Sequence, residues 1–228
     1  ATIKIEDITR DEGNRNILRR LKENDPNFDE LWVSMSRGSS HAVFWPQDSH
    51  ELGWIGYFIG KNTNLTELTF HHSNLLQYLT NSAVAPFFRG VNNNGSIQKI
   101  SFNYMDLSGG EIFQSLRPFF ENNLNLSELA VAYCGFKAGC VGQLSSVLKG
   151  CHESLKVISI DSNRMGGEQE QLENIIEALN THSQLEELHL SNMNIGRNVC
   201  MGLANLLRVS TAQLHWLNLH NNAIDDEG

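Results

Sequence analysis

Histidine and cysteine are the side chains here best suited to hold a metal or move a proton, and the chain has nine of the first and four of the second in 228 residues. His71 and His72 form one group, and His189, His215 and His220 another far along the chain. A metal centre needs three or four converging ligands, so this spread predicts polar surface, with a weak pH sensitivity near the histidine pKa of about 6.5. Cys134, Cys140, Cys151 and Cys200 show no CxxC pair and no histidine at zinc-finger spacing. They read as buried or half-buried free thiols of a reducing compartment. Asn64-Leu-Thr66, Asn94-Gly-Ser96 and Asn125-Leu-Ser127 match the glycosylation triplet, but two overlap expected strand starts and all three are read as chance. The nucleophile elbow, the phosphate loop, the zincin helix and paired carboxylates at catalytic spacing do not occur in the sequence. The expectation is a non-enzyme without cofactor.

The elements that must position these side chains come from a repeating pattern, apolar-x-x-apolar-x-apolar. Its copies are Leu65, Leu68, Phe70; Ile97, Ile100, Phe102; Leu126, Leu129, Val131; Leu155, Ile158, Ile160; Leu185, Leu188, Leu190; and Leu214, Leu217, Leu219. A weaker copy is Phe28, Leu31, Val33, and the six clear ones recur every 29 to 32 residues. Such a period marks a solenoid. In the unit from Leu155, Ile158 and Ile160 share one face of a short strand by period-two alternation. Asn163 and Gly166-Gly167 turn the chain, and Leu172, Ile175, Ile176 and Leu179 then form the stripe of an amphipathic helix. Leu144, Val147, Leu148 and Cys151, and Val199, Leu203, Leu206 and Leu207, repeat that stripe in the flanking units. Pro118 should break or kink the helix expected over Glu111 to Asn122.

A strand-turn-helix unit cannot bury its apolar side alone, so neighbours stack and pair their strands into one parallel sheet. Helices are wider than the strand spacing, which puts the sheet on the concave face. The fold class is therefore α/β, a curved solenoid with a parallel sheet inside the curve and helices outside. Net charge is -9, and residues 65–228 carry 9 basic against 16 acidic side chains. A phosphate-backbone reader needs clustered Lys and Arg, so nucleic acid is excluded as a partner. No stretch approaches a membrane span, and Ala1 to Lys22 holds no apolar signal core. A soluble cytoplasmic protein is expected, with the nucleus as the second compartment.

On these residues the chain resembles the leucine-rich-repeat proteins, specifically the ribonuclease-inhibitor-like subfamily with a full helix per repeat. The resemblance covers Phe28 to Gly228 and is most specific in the last unit, Leu214-His-Trp-Leu-Asn-Leu-His-Asn-Asn222-Ala-Ile224-Asp-Asp-Glu-Gly228. Ser73, Met105, Cys134 and Met193 stand at the ninth position where Asn is usual, so those turns are expected to be looser or shifted. Residues 28–228 form an array of about seven units, the first with an insertion around Ser36 to Asp48 that includes Trp45 and Pro46. Residues 1–27 are assigned as an N-terminal cap, with Thr9 to Glu12 as a capping box and Asn14, Ile17, Leu18 and Leu21 on one helix face. The chain stops where a seventh helix should begin, and a fragment or an unseen tail is the expectation.

The resemblance implies a scaffold that holds a protein partner on the concave face and adjoining loops. That face is built from the third, fifth, seventh and eighth positions of each unit. The candidate contacts are Glu67 and Trp216 in the third column, Trp32, Thr69, Ser101, Ser159, His189 and Asn218 in the fifth, His71, Asn103, Asp161 and His220 in the seventh, and His72, Tyr104, Tyr133 and Asn192 in the eighth. Trp216, Tyr104 and Tyr133 are the preferred anchors, because exposed Trp and Tyr dominate interfaces. A GTPase activator similar to the Ran GTPase-activating protein, or a structural subunit or sensor domain of a larger assembly, are the alternatives. Glu170, Glu173 and Glu177 share one helix face inside a run without basic residues from 165 to 196, which is either a solvated face or a docking patch for a basic partner.

Overall fold

The computed structural model describes residues 3–35, 41–72, 84–107, 110–151, 154–163, 169–209 and 214–226. Among these, eight parallel strands form one open sheet in the order β2-β1-β3-β4-β5-β6-β7-β8. They are β1 (Glu30–Ser34), β2 (Val43–Phe44), β3 (Glu67–His71), β4 (Lys99–Asn103), β5 (Glu128–Ala132), β6 (Val157–Ser159), β7 (Glu187–His189) and β8 (Trp216–Asn218). The expected columns hold in register: Trp32 pairs with Thr69, Thr69 with Ser101, Ser101 with Ala130, Ala130 with Ser159, Ser159 with His189, and His189 with Asn218. Period-two alternation fixes this register, since a slip by one residue would turn Leu68, Ile100, Leu129 and their equivalents out of the core. All apolar positions of the units from Phe28 to Leu190 are buried, whereas Leu214, Leu217 and Leu219 are only partly so.

The helices are α1 (Glu12–Glu23), α2 (Ser49–Ile59), α3 (Ala85–Asn92), α4 (Glu111–Ser115), α5 (Arg117–Asn122), α6 (Ala138–Gly150), α7 (Gln169–Leu179) and α8 (Arg197–Val209). Pro118 acts as expected. The segment is cut at Leu116 into α4 and α5, with the proline in the first turn of α5, where its missing N–H costs nothing. The stripes of α6 and α7 are buried, as are Val199, Leu203 and Leu206 of α8. Leu207, expected in the core, is 55% exposed. It lies on the last described helix, which packs against α7 and has no described helix on its other side.

Helix α1 starts two residues later than the capping-box reading. Its N-cap is Asp11, whose carboxylate accepts from the Asn14 N–H at 2.9 Å, and Thr9 instead accepts from the Asp11 N–H at 3.1 Å. Asn14, Ile17, Leu18 and Leu21 are buried together as expected. Beside α1, β2 from the insertion pairs with β1, and the Trp32 backbone N–H donates to the Ala42 carbonyl at 3.0 Å. An otherwise open edge is thereby satisfied. Asn14 pins the insertion to α1, donating to the Trp45 carbonyl at 2.7 Å and to Glu51 at 3.0 Å while accepting from the Trp45 backbone N–H at 3.0 Å.

Two ladders hold the units in step. At the strand entrances, buried Asn62, Asn94 and Asn123 each donate to a carbonyl 26 to 41 residues earlier in the chain: Leu21, Ile59 and Ile97. His182 takes the equivalent place, its Nε2 lying 3.0 Å from the Leu148 carbonyl. At the strand exits, Asn163 donates to the carbonyls of Val131 and Ile160 and accepts from the Cys134 N–H. Asn222 does the same for Leu190, Leu219, Met193 and Ile195. Cys134 replaces an asparagine with its thiol, which donates toward the carbonyls of Phe102 and Ala132 at 3.3 and 3.1 Å. The turns at Met105, Cys134 and Met193 are not shifted. The residues just before them, Tyr104, Tyr133 and Asn192, have φ of 55°, 56° and 55°, as do Ser162 and Asn221 at 58° and 57° before true asparagines. Ser73 lies outside the described residues, as do Arg164 to Glu168.

Helices α2 and α3 touch backbone to backbone. A Cβ placed on Gly90 would lie 1.8 Å from the Gly56 carbonyl oxygen, and one on Gly56 would lie 2.4 Å from Phe87 Cα.

Candidate functional site

An aromatic ladder crosses the concave face from β1 to the exit of β5. The His41 ring stacks on Trp32 with centroids 4.2 Å apart, and Trp32 meets His71 at 5.2 Å. His71 touches His72 and Tyr104 edge-on, at 4.4 and 5.6 Å. His72 stacks on Tyr104 at 4.8 Å, and Tyr104 on Tyr133 at 4.6 Å with planes 4° apart. Sheet geometry explains the spacing, because successive strands lie about 4.8 Å apart and equivalent positions therefore bring planar rings into contact. Tyr104 is 47% and Tyr133 52% exposed.

His72, Tyr104 and Tyr133 are left-handed, with φ of 42°, 55° and 56°. For a bulky residue this costs about 1–2 kcal/mol, and ring stacking returns about 0.5–1.5 kcal/mol per pair. The ladder therefore roughly offsets its own strain. Partial burial, helped by the His72 charge, holds the His71 pKa below the ordinary histidine value.

Beyond Tyr133 the eighth column changes chemistry. Ser162, Asn192 and Asn221 follow, joined by hydrogen bonds from Asn192 to Ser162 at 3.2 Å and from Asn221 to Asn192 at 3.1 Å. Asp161 is tied into the sheet: one oxygen accepts from the Ser191 N–H and hydroxyl at 2.6 and 2.7 Å, the other from the Ser159 hydroxyl at 3.0 Å. His189 lies 3.2 Å from Glu187 on the same strand. Trp216, 59% exposed, and half-buried Asn218 stand on β8, with His220 exposed just beyond. The structure thus brings Trp32, His71, His72, Tyr104 and Tyr133 together and leaves Trp216 apart, across the amide stretch.

Thr69 and Ser101, at 5% and 4% exposure, lie at the floor of the face. Glu67 and Asn103 are half-buried. Sequence reasoning missed most of the third column, in which Glu30, Glu67, Lys99, Glu128, Val157, Glu187 and Trp216 lie side by side. Lys99 bonds Glu128 at 2.9 Å; burial pulls its pKa down, but the Glu128 hydrogen bond and the charges of Glu128, Glu67 and Glu30 outweigh it, and the net shift is upward. It also missed His41, which caps the ladder from the insertion. Reading the third position in every unit, beyond Glu67 and Trp216, would have found the first set.

Among the described residues no three His, Cys, Asp or Glu side chains converge as metal ligands. None of the four cysteines is in a disulfide, and burial pushes Cys134 up to about 11 and Cys140 up to about 12. Asn94 is 3% exposed and spends its amide on the Ile59 and Asn62 carbonyls, while Asn64 and Asn125 donate to Asn24 and Gly95. The triplets are explained by these backbone ties. On the convex side Glu177 pairs with Lys149 at 3.3 Å, so one lysine of the preceding unit partly offsets the acidic helix. The Glu170 side chain lies outside the described residues. No described helix is long and apolar enough to cross a membrane.

No protein family matches the sequence, and no curated protein does. Among solved structures, the tropomodulin C-terminal domain of Caenorhabditis elegans is 12% identical over 74% of this chain and 92% of its own, with a TM-score of 0.47. Actin-binding site 2 of leiomodin-1 is 14% identical over 86% of this chain and 87% of its own, with a TM-score of 0.43. An internalin of Listeria monocytogenes is 16% identical over 98% of this chain and 93% of its own, with a TM-score of 0.30. The recurring apolar string, the in-register parallel sheet and the helices behind it make the architecture a leucine-rich-repeat solenoid.

Proposed function

We propose that this protein is a binding module that recognises a protein partner on its concave face, with the ladder from Trp32 to Tyr133 as the main contact. The supporting observation is the ladder itself: stacked rings, with His72, Tyr104 and Tyr133 in left-handed backbone, on a face whose other positions, Val157 and Trp216 apart, are small, polar or charged. Rigid aromatic side chains lose little entropy on contact and carry the largest share of interface energy. Trp216 forms a second anchor across the amide stretch. The helices α6, α7 and α8 run 11 to 13 residues, which supports a ribonuclease-inhibitor-like reading of those units, whereas α3, α4 and α5 run only 5 to 8 and do not.

Comparative affinity capture with wild-type protein and with Tyr104→Ala and Trp216→Ala variants tests the proposal. A partner retained by wild type should bind Tyr104→Ala about tenfold more weakly, and Trp216→Ala less severely, at an unchanged unfolding midpoint. Equal affinity for wild type and both variants would overturn the concave-face assignment.

A further inference from the structure

The helical side carries a second aromatic surface that the concave-face reading does not use. Trp54 and Tyr57 of α2 line a groove of about 750 Å³, a size usual for ligand sites of roughly 300–1,000 Å³. Their rings meet edge-on at 5.5 Å, and the Trp54 indole N–H donates to His50 Nε2 at 3.1 Å. Tyr57 is 51% exposed. An outer helix face is ordinarily polar, and this one is aromatic. Pro86 of α3 closes the groove because the glycine contact draws α3 onto α2.

Charge identifies the occupant. Lys22 and Lys61 line the groove and no described carboxylate does, in a chain of net charge -9. Lys22 spends one donor on the Ile3 carbonyl at 3.3 Å, and an ammonium has three. The groove between α7 and α8 has the opposite character, lined by Glu173 and Glu177. We propose that the α2 groove docks a short acidic segment of a protein partner. A bulky apolar side chain lies on the Trp54–Tyr57 surface, and flanking carboxylates meet Lys22 and Lys61. The site is separate from the concave ladder and stands or falls without it.

Fluorescence polarisation with three labelled synthetic peptides tests this: one leucine-centred peptide flanked by Asp and Glu, the same with Asn and Gln, and the same with Lys. The acidic peptide should bind best and weaken as salt rises. Trp54→Ala and the double charge reversal Lys22→Glu with Lys61→Glu should each weaken it about tenfold, while Tyr104→Ala leaves it unchanged. The reversed lysines are exposed, so that variant keeps the test open if Trp54→Ala fails to fold. Equal binding of the neutral peptide, no effect of charge reversal, or self-association through the groove that Trp54→Ala dissolves would each overturn the proposal.

Discussion

The two halves of the solenoid solve one backbone problem with different side chains. In both, the residue at the exit of each strand from β3 to β8 is left-handed, with φ between 42° and 58°. In the first half those residues are His72, Tyr104 and Tyr133, which stack; in the second they are Ser162, Asn192 and Asn221, which hydrogen-bond. Asparagine tolerates this conformation and tyrosine does not. Asn192 and Asn221 follow local preference, while the aromatic half departs from it and presents rings to solvent, as functional surfaces do. A parallel contrast holds among the helices. The α2–α3 pair admits no Cβ at Gly90, whereas a Cβ on Gly202 of α8 would meet Ile176 Cγ2 at an ordinary 3.5 Å.

The largest expected effect breaks the helical contrast. Gly90→Ala should destabilise by about 3 kcal/mol, because backbone must move, whereas Gly202→Ala should be neutral or gain up to about 1 kcal/mol from helix propensity. Denaturant midpoints at constant m-value would measure both. Next, Asn163→Ala should cost about 2 kcal/mol, since it strands the Val131 and Ile160 carbonyls and the Cys134 N–H in the core. A smaller loss would mean that water replaces the amide. The finest test makes one half resemble the other: Tyr133→Asn relieves strain of about 1 kcal/mol and forfeits stacking of similar size. Stability should stay within about 0.5 kcal/mol of wild type while partner affinity falls, and a large stability loss would show that the ring serves folding.

Sheet and register were legible because the apolar positions of each unit admit only one pairing that buries Leu68, Phe70, Ile100, Phe102 and their equivalents. The identities along the eighth column were legible too. Their stacking was not, because it depends on a left-handed turn that the ninth-position departures at Met105 and Cys134 concealed. Strand β2 was hidden because Val43 and Phe44 are too few to show a period. The entrance ladder escaped notice because its last described member is His182, not Asn; aligning units three residues before Leu65, Ile97, Leu126 and Leu185 exposes it. The α2 groove needed the tertiary structure, since Lys22 lies far in sequence from Trp54 and Tyr57.

The even rungs also impose a vernier on any chain laid across them. Stacked rings recur at 4.6 and 4.8 Å along the sheet, while a polyproline II segment advances about 3.1 Å per residue and returns every third side chain to the same face. Two rungs therefore match about three residues of such a segment. A partner laid along the ladder in that conformation can place a side chain in phase with every second rung, so the residues that matter in it would recur in threes.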